Sequence, residues 1–145
     1  MRRVFFLFLM VALLGGALSA CSSKPKASSH ADMKMAPMSD MPDSVKMSSK
    51  TVQESYQFAV ANPDTLKQIP CYCGCGAMGH TSNYSCYVKS DVGGKVTFDE
   101  HALGCSICVD ITQDTMRLLK EGRSVKEIKA YVDQTYSKYG PSNIP

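Results

Sequence analysis

Hydrophobic and polar positions divide the chain into three regions. Val4 to Leu14 is an unbroken apolar run. Cys21 to Lys50 shows no periodicity and is rich in Ser, Lys, Pro and Ala. From Thr51 onward apolar residues return at helical spacing. Tyr56, Phe58, Ala59 and Val60 predict a helix from about Thr51 to Ala61, opened by a capping box, Thr51-Val-Gln-Glu54, and ended by Asn62-Pro63. Pro63 to Pro70 predicts one further turn, with Leu66 and Ile69 docking inward. The last third carries the clearest pattern. A helix runs from Cys105 or Cys108 to Glu121, with Ile107, Ile111 and Leu118 on one side and Met116 and Leu119 nearby, and Gly122 stops it. Ser124-Val-Lys-Glu127 is a second capping box, after which Val125, Ile128, Val132, Tyr136 and Tyr139 recur as a core stripe. The pair predicts an αα-hairpin. Between the helical stretches, Pro70 and the glycines of Cys71 to His80 forbid regular structure. Ser82 to Val88 fits a short helix or a strand, Asp91 to Gly94 a turn, and Val96 to Phe98 a short strand. The expected fold is mainly α: a small cysteine-rich helical domain over residues 51–140, followed by a tail at 141–145.

The amino-terminal run is too short to cross a bilayer, which takes roughly twenty apolar residues. Preceded by Met1-Arg2-Arg3, it has the form of a signal peptide over residues 1–20. Leu18-Ser19-Ala20-Cys21 resembles the lipobox of bacterial lipoproteins. That resemblance implies that Cys21 is diacylated and becomes the new amino terminus. The protein is then expected on the extracytoplasmic face of a bacterial membrane, held by its lipid. Residues 21–50 are expected to be a disordered tether, because so few aliphatic and aromatic side chains cannot offset the entropy of ordering. The tether carries His30, Met33, Met35, Met38, Met41 and Met47. Thioethers are soft donors suited to Cu(I), so Met33, Met35, Met38 and Met41 are candidate auxiliary metal ligands. The competing reading is drift in a linker that merely tolerates methionine.

Charge excludes one class of partner. Loss of residues 1–20 removes Arg2 and Arg3, leaving 14 of the 16 basic residues against 13 acidic ones. A nearly neutral mature chain is not built for nucleic acid. No Ser-His-Asp set, paired-carboxylate site or phosphate-cradling glycine loop is legible either, so catalysis is not the first expectation.

The seven cysteines carry the candidate chemistry. Besides Cys21, the domain holds Cys71, Cys73, Cys75, Cys86, Cys105 and Cys108. In an exported protein three disulfides are the ordinary expectation. Cys-x-Cys neighbours rarely reach relaxed disulfide geometry, however. If Cys71, Cys73 and Cys75 do not pair among themselves, each must take one of the other three, which breaks the Cys105–Cys108 pair. A metal site uses the same spacing with less strain. Glycines between the first three cysteines let several thiolates converge, and Cys105-x-x-Cys108 sits at a helix start, where the positive end of the helix favours thiolate. His80 and His101 are candidate nitrogen donors, although surface or capping roles are common for such residues. Soft sulfur ligands select Cu(I), Zn(II) or an iron–sulfur cluster. An exported chain with a methionine string tilts the choice to copper, with zinc as the alternative. A third reading is thiol–disulfide exchange at Cys105 and Cys108.

Pro70-Cys71-Tyr72-Cys73-Gly74-Cys75 resembles the name-giving string of the PCYCGC-motif bacterial lipoproteins. The likeness extends over about residues 54–139 and includes Gly79-His80, Cys86 and Gly104-Cys105-Ser-Ile-Cys108-Val-Asp. That family implies a lipoprotein but no settled activity. Cys105-x-x-Cys108, the Leu118-to-Ile128 stretch and Tyr139-Gly140 also resemble the thiol-reductase subunit of cytochrome c maturation, a three-helix bundle. That likeness implies a redox role for Cys105 and Cys108. Four additional cysteines, and no membrane helix after the module, separate this sequence from it. The expected function is therefore metal capture, buffering or transfer at the cell surface, with a metal donor or acceptor protein as partner. An extracytoplasmic thiol oxidoreductase and a disulfide-stapled binding module are the alternatives.

Overall fold

A computed structural model describes residues 33–144. The signal segment, Cys21 and His30 lie outside the described residues, as does Pro145. Among the described residues six α-helices and one two-stranded sheet form a mainly α fold, as the periodicity predicts.

Helix α1 (Asp43–Lys46) is a single turn. Helix α2 (Lys50–Ala61) packs on α5 (Ser106–Lys120), and α5 packs on α6 (Val125–Tyr136). A one-turn helix α3 (Pro63–Leu66) follows α2. A hairpin of β1 (Val88–Val92) and β2 (Lys95–Phe98) and the short α4 (His101–Gly104) complete the order. The core is the seam between α2, α5 and α6: Tyr56, Phe58, Ile111, Leu118, Ile128 and Val132 are buried there. Leu66 and Ile69 dock inward as their spacing requires.

The second capping box forms in full, with Ser124 and Glu127 bonded reciprocally. The first does not. Helix α2 begins at Lys50, one residue ahead of Thr51, and its N-cap residue Ser49 makes no side-chain cap bond. Gln53 instead donates from its amide to the carbonyls of Lys46 (2.8 Å) and Ser48 (3.0 Å). Strand β1 was legible only as half of a helix-or-strand choice at Ser82 to Val88. The structure uses both, a 3-10 turn at Tyr84–Cys86 and then the strand. Tyr139, expected in the core stripe, is 54% exposed and rests near Tyr136, with ring centroids 6.2 Å apart.

The expectation of a disordered tether over residues 21–50 fails for residues 33–50. Met41 and Val45 are buried, Ala36 nearly so, and Met33 and Met38 pack against the same core. The packed unit therefore begins well before residue 51. The physical reason lies in polar side chains of α2 and of its C-cap residue Asn62. Gln57 donates to Ala36 O (2.7 Å) while Ala36 N donates to Gln57 O (3.0 Å). Asn62 donates to Lys34 O (2.8 Å). These amides satisfy the backbone of a segment with too few apolar residues to announce itself, and each such bond contributes about 1 kcal/mol net. The tail expected at 141–145 is likewise docked: Asn143 N donates to Cys71 O (3.2 Å).

Met41→Ala should lower folding stability by about 2–5 kcal/mol in urea unfolding, the range for emptying a core methionine site. Met35→Ala, at a position 37% exposed, should stay within about 0.5 kcal/mol. A free tether would give no loss at either position.

Candidate metal centre

Three pieces of backbone bring the sulfurs together: the Cys71–Cys75 loop, the 3-10 turn ending at Cys86, and the start of α5. The loop reverses sharply at Gly74, whose φ of +84° is one that side-chain-bearing residues rarely adopt. The C-terminal strap crosses the loop at Gly140, where a Cβ would stand 2.9 Å from Tyr72 O. Asn143, farther along the same strap, accepts from Cys71 N (2.7 Å) and donates to Cys75 Sγ (3.4 Å). At the opposite wall, Cys105 is the N-cap residue of α5 and Cys108 lies in its first turn.

The first turn of α5 is held by a buried polar network. Tyr87 OH donates to Cys108 O (2.9 Å) and lies 2.7 Å from Thr112 Oγ1. Asn83 Nδ2 donates to Cys108 O (3.2 Å), and Thr112 Oγ1 donates to Asn83 Oδ1 (2.7 Å). Fully satisfied networks of this kind fix geometry, because leaving any member unpaired in the interior is costly.

All six domain cysteines are free thiols, and their sulfurs form one continuous cluster. Cys71 Sγ lies 3.4 Å from Cys73 Sγ and 3.5 Å from Cys108 Sγ. Cys73 Sγ lies 3.6 Å from Cys108 Sγ and 3.4 Å from His101 Nε2. Cys75 Sγ lies 3.7 Å from Cys86 Sγ. Two thiolates bound at about 2.3 Å to one tetrahedral ion stand about 3.8 Å apart, so these separations are close to those of a chelate. Two donor groups emerge: Cys73, His101, Cys105 and Cys108, and Cys71, Cys75 and Cys86. Within each group one donor atom per residue lies within 4.8 Å of every other. Either group could hold a metal ion.

Of the eight predicted ligands, seven fall in these groups. The eighth, His80, is adjacent. Its ring meets that of His101 edge-on, with centroids 5.2 Å apart, and its Nε2 lies 3.5 Å from Asp99 Oδ2. Asp99 Oδ1 in turn accepts from His101 N (2.8 Å), so one carboxylate touches both histidine residues. Neither Asp99 nor Asn143 is signalled by the sequence, because each acts by reaching a neighbour that only folding supplies. The auxiliary candidates behave differently. Met41 is core, Met33 and Met38 pack on the core, and Met35 is exposed. Packing accounts for the three that are covered.

The thiols perturb one another strongly. Cys71 is pushed toward thiolate, chiefly by its contact with Cys108. Cys75 is lowered to about 7, first by Cys86, with His80 a smaller contributor. Burial raises Cys73, and negative charge on Cys71 raises it further. Contact with Cys108, then with Cys71, raises Cys86. Contact with Cys71 is the largest cause raising Cys108. The helix start predicts thiolate at the Cys105–Cys108 pair; Cys108 is instead raised, and it is Cys71 that is pushed toward thiolate. Like charges this close cannot all form without a cation, and a bound cation reverses that balance.

The fold and site define a small helical protein with a buried cysteine–histidine donor cluster. The chain belongs to the family described as protein of unknown function with PCYCGC motif, which matches it over residues 10–145. No curated protein and no solved structure matches it.

Asn143→Ala removes the acceptor for the Cys71 amide and the donor to Cys75 Sγ. It should cost about 1–3 kcal/mol of stability in urea unfolding, the range for orphaning a buried backbone group. A stability unchanged from the parent would show that the strap does not brace the loop.

Proposed function

We propose that this protein is a lipid-anchored, extracytoplasmic metal-binding protein that captures, buffers or hands on a soft metal ion, with Cu(I) the preferred ion. The observation that carries this reading is the convergence of six free thiols and His101 into one cluster with chelate-like sulfur spacing. Sulfur-dominated donor sets select soft ions. Cu(I) is preferred because six of the seven grouped donors are sulfur. The Cys73, His101, Cys105 and Cys108 group would suit zinc as well. The methionine string lends less support than its composition suggests, since most of its described members pack on the core.

The chain's own residues set the terms of binding. Cys71 and Cys75, the two thiols displaced toward thiolate, are the natural first ligands. Cys73, Cys86 and Cys108 must release protons as metal enters, so uptake acidifies an unbuffered solution. Asn143 and the Tyr87–Asn83–Thr112 network hold the two walls of the cluster in place. Lipidation at Cys21 would present this site at the membrane surface, within reach of a donor or acceptor protein.

Mature protein purified without oxygen should retain near-stoichiometric copper by elemental analysis, or zinc under the alternative. A strong Cu(I) chelator should lower its unfolding stability, by about 4 kcal/mol if free ion had stood a thousandfold above Kd. Metal-free protein that is fully folded and contains three disulfides by non-reducing mass spectrometry overturns the reading in favour of a stapled module. Dithiol turnover abolished by Cys105→Ser with metal content intact would favour the oxidoreductase.

A further inference from the structure

We infer that the cluster is a two-ion centre, with one ion held by Cys73, His101, Cys105 and Cys108 and a second by Cys71, Cys75 and Cys86 with His80 as its nitrogen donor. This inference rests on the metal-binding reading above and deepens it.

Donor counting is the first argument. A single soft ion uses at most four of these ligands. If the first group held the only ion, Cys71, Cys75 and Cys86 would remain as three buried sulfurs in mutual reach with nothing to bind. The second group is as compact as the first: its three sulfurs also lie within 4.8 Å of one another.

The second argument comes from His80. Its side chain is only 9% exposed, and its Nδ1 is the one buried side-chain nitrogen or oxygen among the described residues without a hydrogen-bond partner. An unpaired polar atom in the interior costs free energy unless something else satisfies it. The residue sits against the second sulfur group: His80 N donates to Cys75 O (3.3 Å). On its other side Nε2 faces Asp99. A histidine with a carboxylate beside one nitrogen and the other nitrogen buried and unpaired has the arrangement common among metal-ligating histidines.

The third argument concerns the seam between the groups. Cys71 belongs to the second group, yet its sulfur lies 3.4 Å from Cys73 and 3.5 Å from Cys108, both members of the first. Two ions this close would repel unless anionic sulfur lay between them, and Cys71, a member of the second group in contact with two members of the first, occupies that position. Ions in the two groups would therefore not bind independently: the first would change the affinity for the second.

The test is an anaerobic titration of the mature chain with Cu(I) against a competing chromophoric Cu(I) ligand, read together with native mass spectrometry. Two ions per chain are expected at saturation. Cys86→Ser should retain one ion, and so should Cys105→Ser, whose site is half-exposed and less exposed to folding defects. His80→Gln should weaken one of the two ions by about 10-fold or more and leave the other within about 2-fold. Saturation at one ion overturns the two-ion inference and leaves the metal-binding reading intact. Saturation above two overturns the division into these two groups, as does loss of both ions together in folded Cys105→Ser. Failure to bind any metal overturns both readings at once.

Discussion

The constraint on which this structure turns is electrostatic. Six thiols are gathered into one largely buried cluster, and they cannot all ionise there without a cation. Two of them, Cys71 and Cys75, are displaced toward thiolate, while Cys73 is displaced the other way by burial and by charge on Cys71, Cys86 chiefly by contact with Cys108, and Cys108 chiefly by contact with Cys71. The metal-free cluster is thus a frustrated set of donors sharing too few sites for negative charge. A cation bound there would relieve the frustration by stabilising thiolates that the protein alone disfavours.

The helical frame serves this cluster by rigidity. The packed seam of α2 and α5 fixes the start of α5, and the Tyr87–Asn83–Thr112 network locks its first turn at Cys108. Tyr56 stacks edge-on against Tyr87, with centroids 4.9 Å apart, and donates to Asp99 O (2.7 Å). One aromatic pair therefore braces both the α5 wall and the Asp99 corner that touches the two histidine residues. The facing loop has no regular structure to hold it, and the C-terminal strap takes that role through Asn143. Metal affinity depends on such outer contacts almost as much as on the ligands.

The methionines show how context overturns a compositional argument. Met33, Met38 and Met41 lie in a polar stretch with little to bury, which made thioether ligation a reasonable expectation. Amide side chains of α2 and of its C-cap residue Asn62 instead bond the backbone of that stretch, and the methionines pack beneath it. A flexible unbranched thioether fills such shallow gaps well. The ordered segment extends the packed domain back to Met33.

The sequence by itself determined the helices and the ligand inventory. Helical periodicity, the Ser124–Glu127 capping box and the Gly122 stop are local signals, readable because each is decided within a few residues. The eight candidate ligands were legible for a similar reason, since cysteine and histidine declare their chemistry wherever they stand. Tertiary structure alone decided how those ligands divide into groups, that Cys71 rather than Cys108 leans toward thiolate, and that Asp99 and Asn143 belong to the site. It also decided that residues 33–48 pack and that Thr51 does not open its helix. All of these turn on contacts between residues far apart in the chain, and through-space charge, burial and hydrogen bonding leave no periodic trace in a linear sequence.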